Sequence, residues 1–207
     1  MKPLILIGAG GHCRSVIEAA ESSGRRIAGI LDRKDAAAPE VLGYPVLGCD
    51  DDIPAYVGEC EFVVTLGMVK SASRRVALHQ LVRAAGGTLA TVVASTAVVS
   101  GHARLGAGTV VLHHAVVNAG ACVGEGCIVN TAAVVEHDVT VGDYCHISTG
   151  AIVNGGSAVG PRCMVGSHAT VVQGVKICGD TVIGAAATVL GPVEVPGVYV
   201  GLVRTSR

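Results

Sequence analysis

Aromatic rings are almost absent from this chain: one Phe, four Tyr and no Trp in 207 residues. A core must therefore be filled by Val, Ile, Leu and Ala. Net charge is nearly absent as well. Fifteen Lys and Arg stand against sixteen Asp and Glu, a formal charge of -1, so nothing in the balance draws the chain to nucleic acid or an anionic membrane surface. Mean hydropathy is positive. Yet no apolar run approaches the roughly 20 residues that a spanning helix needs, because Gly, Ser, Thr or a charge interrupts each one. A secretory signal is missing too: Pro3–Ile7 runs into Gly8-Ala9-Gly10-Gly11-His12 and Arg14, with no longer apolar stretch and cleavage pattern. The eight cysteines form no C-x-x-C. That usage predicts a cytoplasmic, reducing setting rather than a disulfide scaffold.

What is present divides in two. Over residues 1–90, short apolar runs alternate with helical spacing. Leu4–Ile7, Ile27–Leu31 and Glu61–Leu66 read as strands; Cys13–Ser23 and Ser71–Ala85 read as helices, the second stopped by Gly86-Gly87. Alternating strands and helices imply parallel β-structure with helical crossovers, a Rossmann-like α/β half-domain. It is too short for two mononucleotide-binding halves. Gly8-x-Gly10-Gly11-His12 lies between strand and helix, where backbone N–H groups face phosphates. Asp32 closes the second strand, a place for a ribose-binding acid. Cys13 stands where a complete Gly-x-Gly-x-x-Gly needs its last glycine. A nucleotide-activated sugar suits this half-domain better than a dinucleotide; a turn glycine pair without ligand is the plainer alternative.

Over residues 91–207 the pattern is a repeat. An aliphatic residue falls at every sixth position from Val93 to Val195, eighteen hexads in all. Four residues after each stands Ala, Thr, Cys, Ser or Val, from Ala97 to Val193. Six residues make a short strand and a turn, and three such units make one triangular coil of 18. The aliphatic residue points inward, and a corner admits only the small one. Stacking at about 4.8 Å per coil pairs the backbone and predicts six coils in a prism about 25–30 Å long. A sandwich of ordinary strands predicts period two instead. The spacing therefore predicts a parallel β-helix.

Columns follow from the coil length. Cys127, Cys145 and Cys163 are 18 apart, with Thr109 and Thr181 in the same column. They read as small polarizable filler rather than a metal or redox ladder, since a tight corner admits no cation. Histidines on neighbouring coils do not stack: 18 beyond His113, His114 and His137 come Thr131, Ala132 and Gly155. No metal is expected within one subunit, which disfavours a zinc hydratase of the γ-carbonic anhydrase kind. His137 stands between Glu136 and Asp138. A carboxylate against an imidazole fixes its tautomer and raises its basicity, as a general base requires; a solvated surface histidine is the alternative reading.

Four segments occur in order: Gly8-Ala9-Gly10-Gly11-His12, Gly43-Tyr44-Pro45-Val46-Leu47-Gly48, Asn130-Thr131-Ala132-Ala133-Val134-Val135-Glu136-His137-Asp138 and His146-Ile147-Ser148-Thr149-Gly150-Ala151. Together they resemble the NeuD/PglD-type sugar acetyltransferases over almost the whole chain. That resemblance implies a left-handed β-helix and a homotrimer, with acetyl-CoA as cosubstrate between adjacent prisms. It implies His137 as general base tuned by Asp138, and His146, Gly155, Ser167 and Ala185 at the cofactor. It also implies Gly10, Gly11, His12, Asp32, Arg33 and Gly67 at the acceptor.

The expected reaction is direct N-acetylation of a UDP- or GDP-linked amino-deoxysugar, with no acyl-enzyme. O-acetylation of sialic acid or another sugar hydroxyl, and a non-catalytic nucleotide-sugar scaffold, are the alternatives. Two segments depart from the family: Gly201-Leu202-Val203-Arg204 near the C-terminus, and the stretch after Gly67, which lacks the usual Asn but carries basic Lys70, Arg74 and Arg75.

Overall fold

The computed structural model describes residues 1–35, 39–68 and 71–204. Strand β1 (Leu4–Ile7) is buried at every position. Helix α1 (Gly11–Ser22) turns Cys13, Val16, Ile17, Ala19 and Ala20 inward at helical spacing. Strands β2 (Ile27–Asp32), β3 (Glu40–Val41), β4 (Tyr44–Cys49) and β5 (Glu61–Val64) complete a sheet of order β3-β4-β2-β1-β5. It is parallel throughout except for the edge pair β3-β4. The carboxyl ends of β4, β2, β1 and β5 therefore share one edge, where an open α/β sheet forms its ligand crevice. The short helix α2 (Ile53–Tyr56) follows β4, and one sheet face packs Ile5, Ile7, Phe62 and Val64 against Leu78 and Val82 of helix α3 (Ser73–Ala84). The other joins Leu4, Leu6, Val16 and Ile17 to Val92, Val110 and Leu112 of the repeat. The two halves thus share a core.

From Val92 the chain makes two-residue strands at six-residue intervals as far as Thr188–Val189. As far as Thr170–Val171 each pairs in parallel with the strand 18 residues on, as Val116 with Val134 and Val134 with Ile152. Three sheets result: face 1 and face 2 with seven strands each, beginning at Val92–Val93 and Val98–Val99, and face 3 with five, beginning at Arg104–Leu105. This is a left-handed parallel β-helix joined to an α/β half-domain. Val117, Val135, Val153 and Val171 point inside and are fully buried, each burial contributing about 1.5–3 kcal/mol. Cys127, Cys145 and Cys163 are fully buried in the small-residue column. Their thiols reach carbonyls on the following coil, Cys127 Sγ to Gly142 O at 3.1 Å and Cys145 Sγ to Gly160 O at 3.0 Å. They fill space in the column, and the described residues contain no group of three metal-ligating side chains.

The last hexad departs from the expected register. Val195 is 66% exposed, and Val193, at 4%, takes the inward place and bridges Ile177. Pro192 and Pro196 flank this segment and cannot donate to a ladder. The winding then resumes with Val198–Tyr199 on face 1 and Leu202–Val203 on face 2. Faces 1 and 2 thus run to seven strands rather than six. The unusual Gly201-Leu202-Val203-Arg204 segment belongs to that final coil. No helix among the described residues is long and apolar enough to cross a membrane.

A second column explains part of the glycine content. Gly106, Gly124, Gly142 and Gly160 stack where face 3 bends into face 1. A Cβ at Gly142 would lie 2.6 Å from Pro161 N, and one at Gly160 2.4 Å from Gly179 N. Gly142→Ala must push two coils apart and is expected to destabilise by about 1–3 kcal/mol. Gly101→Ala, at a turn glycine with nothing within 4 Å, is the control and costs little. Urea unfolding of both variants checks this; equal midpoints would contradict the stacking account.

Candidate active site

His137 and Asp138 sit at the corner between faces 2 and 3. Asp138 adopts the left-handed conformation (φ 59°) that recurs at this turn position, and its carboxylate folds back on its neighbour. His137 Nδ1 donates to Asp138 Oδ2 at 2.9 Å. The carboxylate can only accept, so the proton sits on Nδ1 and Nε2 carries the free lone pair. Two glycines make the room. A Cβ at Gly155 would lie 2.5 Å from His137 Nε2, and one at Gly120 would lie 2.4 Å from Asp138 Oδ1. Glu136 turns away: its Oε2 accepts from Asn118 Nδ2 at 2.8 Å. Only one of the two flanking acids therefore holds the ring. The Gly155 N–H has no acceptor among the described residues, and the Cα side of that residue faces Nε2. The side chains of His137 and Asp138 are both more than half exposed. A polarised imidazole over a glycine with a free N–H is thus presented on an open edge.

His146 occupies a different place. It points outward from face 1 but is covered by the α/β half-domain. Nδ1 donates to Met68 O at 3.0 Å, and Nε2 accepts from Asn130 Nδ2 at 3.0 Å. Burial pushes its pKa down to about 4, so it is a neutral strut under the loop that follows β5. Around it α3 docks on the repeat. Buried Arg75 donates from Nη2 to Tyr144 O. His79 is wholly buried, edge-on to Tyr144 at 5.3 Å, and enters the space left by Gly108 and Gly126. Arg83 pairs with Glu125, which also accepts from Tyr144 Oη at 2.6 Å. His12 lies 6.4 Å from His146, ring to ring, with Nε2 buried and unpartnered among the described residues.

The crevice at the sheet edge takes Gly10, Asp32 and Arg33 of the remaining predicted residues, while Gly11, His12 and Gly67 lie outside its lining. Gly8, Gly10, Asp32 and Arg33 line a cleft of about 350 Å³ together with Asp50, Leu66, Arg74 and Leu78. A Cβ at Gly10 or Gly11 would meet nothing within 4 Å, so the N-terminus of α1 is open for close approach of an anion. Asp32 closes the turn by accepting from Ala9 N at 3.1 Å and Arg33 N at 2.8 Å. Gly67 lies against His12, its would-be Cβ 3.8 Å from His12 Cβ. Of the basic residues expected after Gly67, Lys70 lies outside the described residues, Arg74 lines the cleft and Arg75 is spent on docking α3.

Ser167 and Ala185 are small, half-exposed and exposed, 18 apart at the corner between faces 1 and 2. The expected site residues therefore form three groups within one chain. His137, Asp138 and Gly155 lie at the corner opposite face 1. Ser167 and Ala185 lie at a second corner, with His146 on the adjoining face. Gly10, Gly11, His12, Asp32, Arg33 and Gly67 lie in the half-domain seated on face 1. Sequence reasoning missed Gly120 and His79, held Asn130 only as part of the family segment, and counted Arg75 among the basic residues that could meet a phosphate. Gly120 and Asn130 carried a signal, since each is one coil or so from the histidine or acid it serves.

Comparison with known proteins follows the same division. The family model described as the PglD N-terminal domain matches residues 3–81. Perosamine N-acetyltransferase from Caulobacter crescentus, solved as a histidine mutant with CoA and GDP-perosamine, is 33% identical with a TM-score of 0.90, over 97% of this chain and 94% of that one. The acetyltransferase domain of PglB from Neisseria gonorrhoeae is 30% identical with a TM-score of 0.89, over 97% of each chain; the same domain is also solved with acetyl coenzyme A. No curated protein matches the chain.

The buried histidines give a pH dependence with a definite sign. His12, His79 and His146 are each pushed down to about 4, burial being the main cause. Unfolded, each returns to about 6.5 and binds a proton first. Stability is therefore full above pH 6.5 and is lost as pH falls from 6.5 towards 4. At pH 5 the loss is on the order of 2 kcal/mol per imidazole. Urea midpoints at pH 7.5 and 5.0 check it, and His79→Leu should flatten the slope; a midpoint unchanged between the two pH values would contradict it.

Proposed function

The chain belongs to the NeuD/PglD-type sugar acetyltransferase family, and from that premise we propose that it transfers acetyl from acetyl-CoA to the amino group of a nucleotide-linked amino-deoxysugar, with His137 as general base. The observation that carries this reading is the His137–Asp138 pair beside Gly155. Acetyl-CoA supplies an activated thioester. The acceptor nitrogen attacks its carbonyl carbon, the C–N bond forms and the C–S bond breaks. Nε2 of His137 takes the proton that the nitrogen sheds and passes it to the departing thiolate, while Asp138 stabilises the imidazolium between these steps. The N–H of Gly155 faces the carbonyl oxygen as it becomes anionic. No side chain is acylated. Cys145, the nearest column cysteine to the motif, is buried with its thiol pushed well up, so it offers no nucleophile.

Assembly completes the site. Face 2 lies between the two functional corners. Its outward stripe of Val98, Val116, Val134 and Ile152 is apolar, with Val98 61% exposed. Packing face 2 around a threefold axis covers this stripe. It also sets the His137 corner of one copy against the Ser167–Ala185 corner of the next. Small side chains keep that second corner low, which suits the thin pantetheine arm. The acceptor crevice of the half-domain belongs to the same copy as Ser167 and Ala185. Gly10 and Gly11 then take the diphosphate and Asp32 the ribose, while His12 and Gly67 line the way to the sugar.

The test is thiol release from acetyl-CoA in the presence of UDP- and GDP-linked amino sugars. Wild-type protein should release CoA only with an amino acceptor. His137→Ala should lower turnover by roughly 10²–10⁴-fold with the fold unchanged by circular dichroism. Full activity in that variant would sink the assignment of the base.

A further inference from the structure

The acceptor crevice also carries a means of choosing its base; this inference rests on the acceptor reading above and deepens it. The 350 Å³ cleft adjoins a second of about 470 Å³, and the two share Arg33, Asp50 and Arg74. Gly10 and Asp32 line the first; Lys34, Cys49 and Asp51 line the second. Strand order sets the contributors in a row. The loop after β1 brings Gly10, the end of β2 brings Asp32 and Arg33, and the end of β4 brings Asp50. With a diphosphate at Gly10 and a ribose on Asp32, the base reaches the shared residues.

Asp50 is the unusual member of that trio. Its side chain is only 17% exposed, whereas Arg74 is 59% and Arg33 66% exposed. Oδ2 accepts from Arg74 Nη2, and Oδ1 has no donor among the described residues. Burial, with the nearby carboxylates of Asp32 and Asp51, pushes the carboxyl up overall, and Arg74 draws it part of the way back. Such a carboxylate wants two N–H donors side by side. Guanine offers N1–H and the N2 amine on one edge. Uracil offers a single N3–H between two carbonyl oxygens, one of which would face the second carboxylate oxygen. Adenine sets a bare acceptor nitrogen beside its amine. Arg33, largely exposed and paired through Nε with Asp35 Oδ1 at 3.7 Å, presents a planar guanidinium face on which a purine can stack.

We propose that Asp50 reads the guanine edge, so that the acceptor is a GDP-linked rather than a UDP-linked amino sugar.

Calorimetric titration of the full chain with GDP, IDP and UDP tests this, with wild type and Asp50→Asn side by side. Wild type should bind GDP about 10- to 100-fold more tightly than UDP. IDP, which lacks the 2-amino group, should fall between them. Asp50→Asn should lose most of the GDP preference while still binding UDP, which also reports an intact fold. UDP binding as tightly as GDP, or IDP matching GDP, would overturn the proposal without need of the variant. A GDP preference that survives Asp50→Asn would remove Asp50 from the role. Absence of binding by all three diphosphates would instead overturn the nucleotide-linked acceptor itself, and the base assignment with it.

Discussion

Parallel stacking of 18-residue coils is the constraint on which everything else in this molecule depends. Each coil must bury one aliphatic side chain per face and keep its corners small, as Val117, Val135 and Val153 do beside Cys127 and Cys145. Once that is met, positions 18 apart are locked one above another by backbone hydrogen bonds. Chemistry can then be placed by register alone. His137 lies over a coil that offers Gly155, and Asp138 over one that offers Gly120. A side chain at either glycine would displace the ring or the carboxylate. The imidazole therefore owes its setting to two absences as much as to its hydrogen bond. Rigid scaffolds suit general-base catalysis because the lone pair is aimed before substrate arrives.

The second constraint is the docking of the half-domain. Arg75, His79, Arg83 and His146 bind it to face 1 and its edge through buried or partly buried contacts. Face 1 is opposite the corner that carries His137. The acceptor crevice and the base are thus held apart within a chain by the same packing that stabilises it. In the proposed assembly a neighbouring copy removes the separation, because face 2 is flanked by the two corners that would meet. His146 acquires a dual meaning here. The resemblance implies a place at the cofactor, and in this chain its hydrogen bond to Met68 O braces the loop that follows β5.

Much of this was legible in the chain itself. Unbroken hexads announce the coil, and the inward column follows from them residue by residue until Val195, where flanking prolines shift the register. Glu136-His137-Asp138 announces a candidate base, though not which acid holds it; the turn conformation of Asp138 decides that. Gly10 and Asp32 announce the crevice at the carboxyl ends of β1 and β2. Docking residues were hidden for a physical reason. Arg75 and His79 are polar on a helix whose apolar pattern is already complete, so they read as solvated until the partner surface is known. Gly108 and Gly126, which receive His79, look like ordinary turn glycines in a repeat rich in them. Asp50 was equally silent, since its meaning comes from burial and from Arg74, 24 residues away.

Base and acceptor crevice are proposed to come from different chains, and mixing subunits is the decisive experiment. One parent carries His137→Ala. The other carries Gly10→Glu, which has room for its side chain but sets a carboxylate against the diphosphate. Each homotrimer alone should be inactive. Co-expressed in equal amounts, they should recover about a quarter of wild-type activity, since random assortment joins an intact base to an intact crevice at that fraction of interfaces. Mixed trimers as inactive as their parents would place both half-sites in one chain and contradict the account.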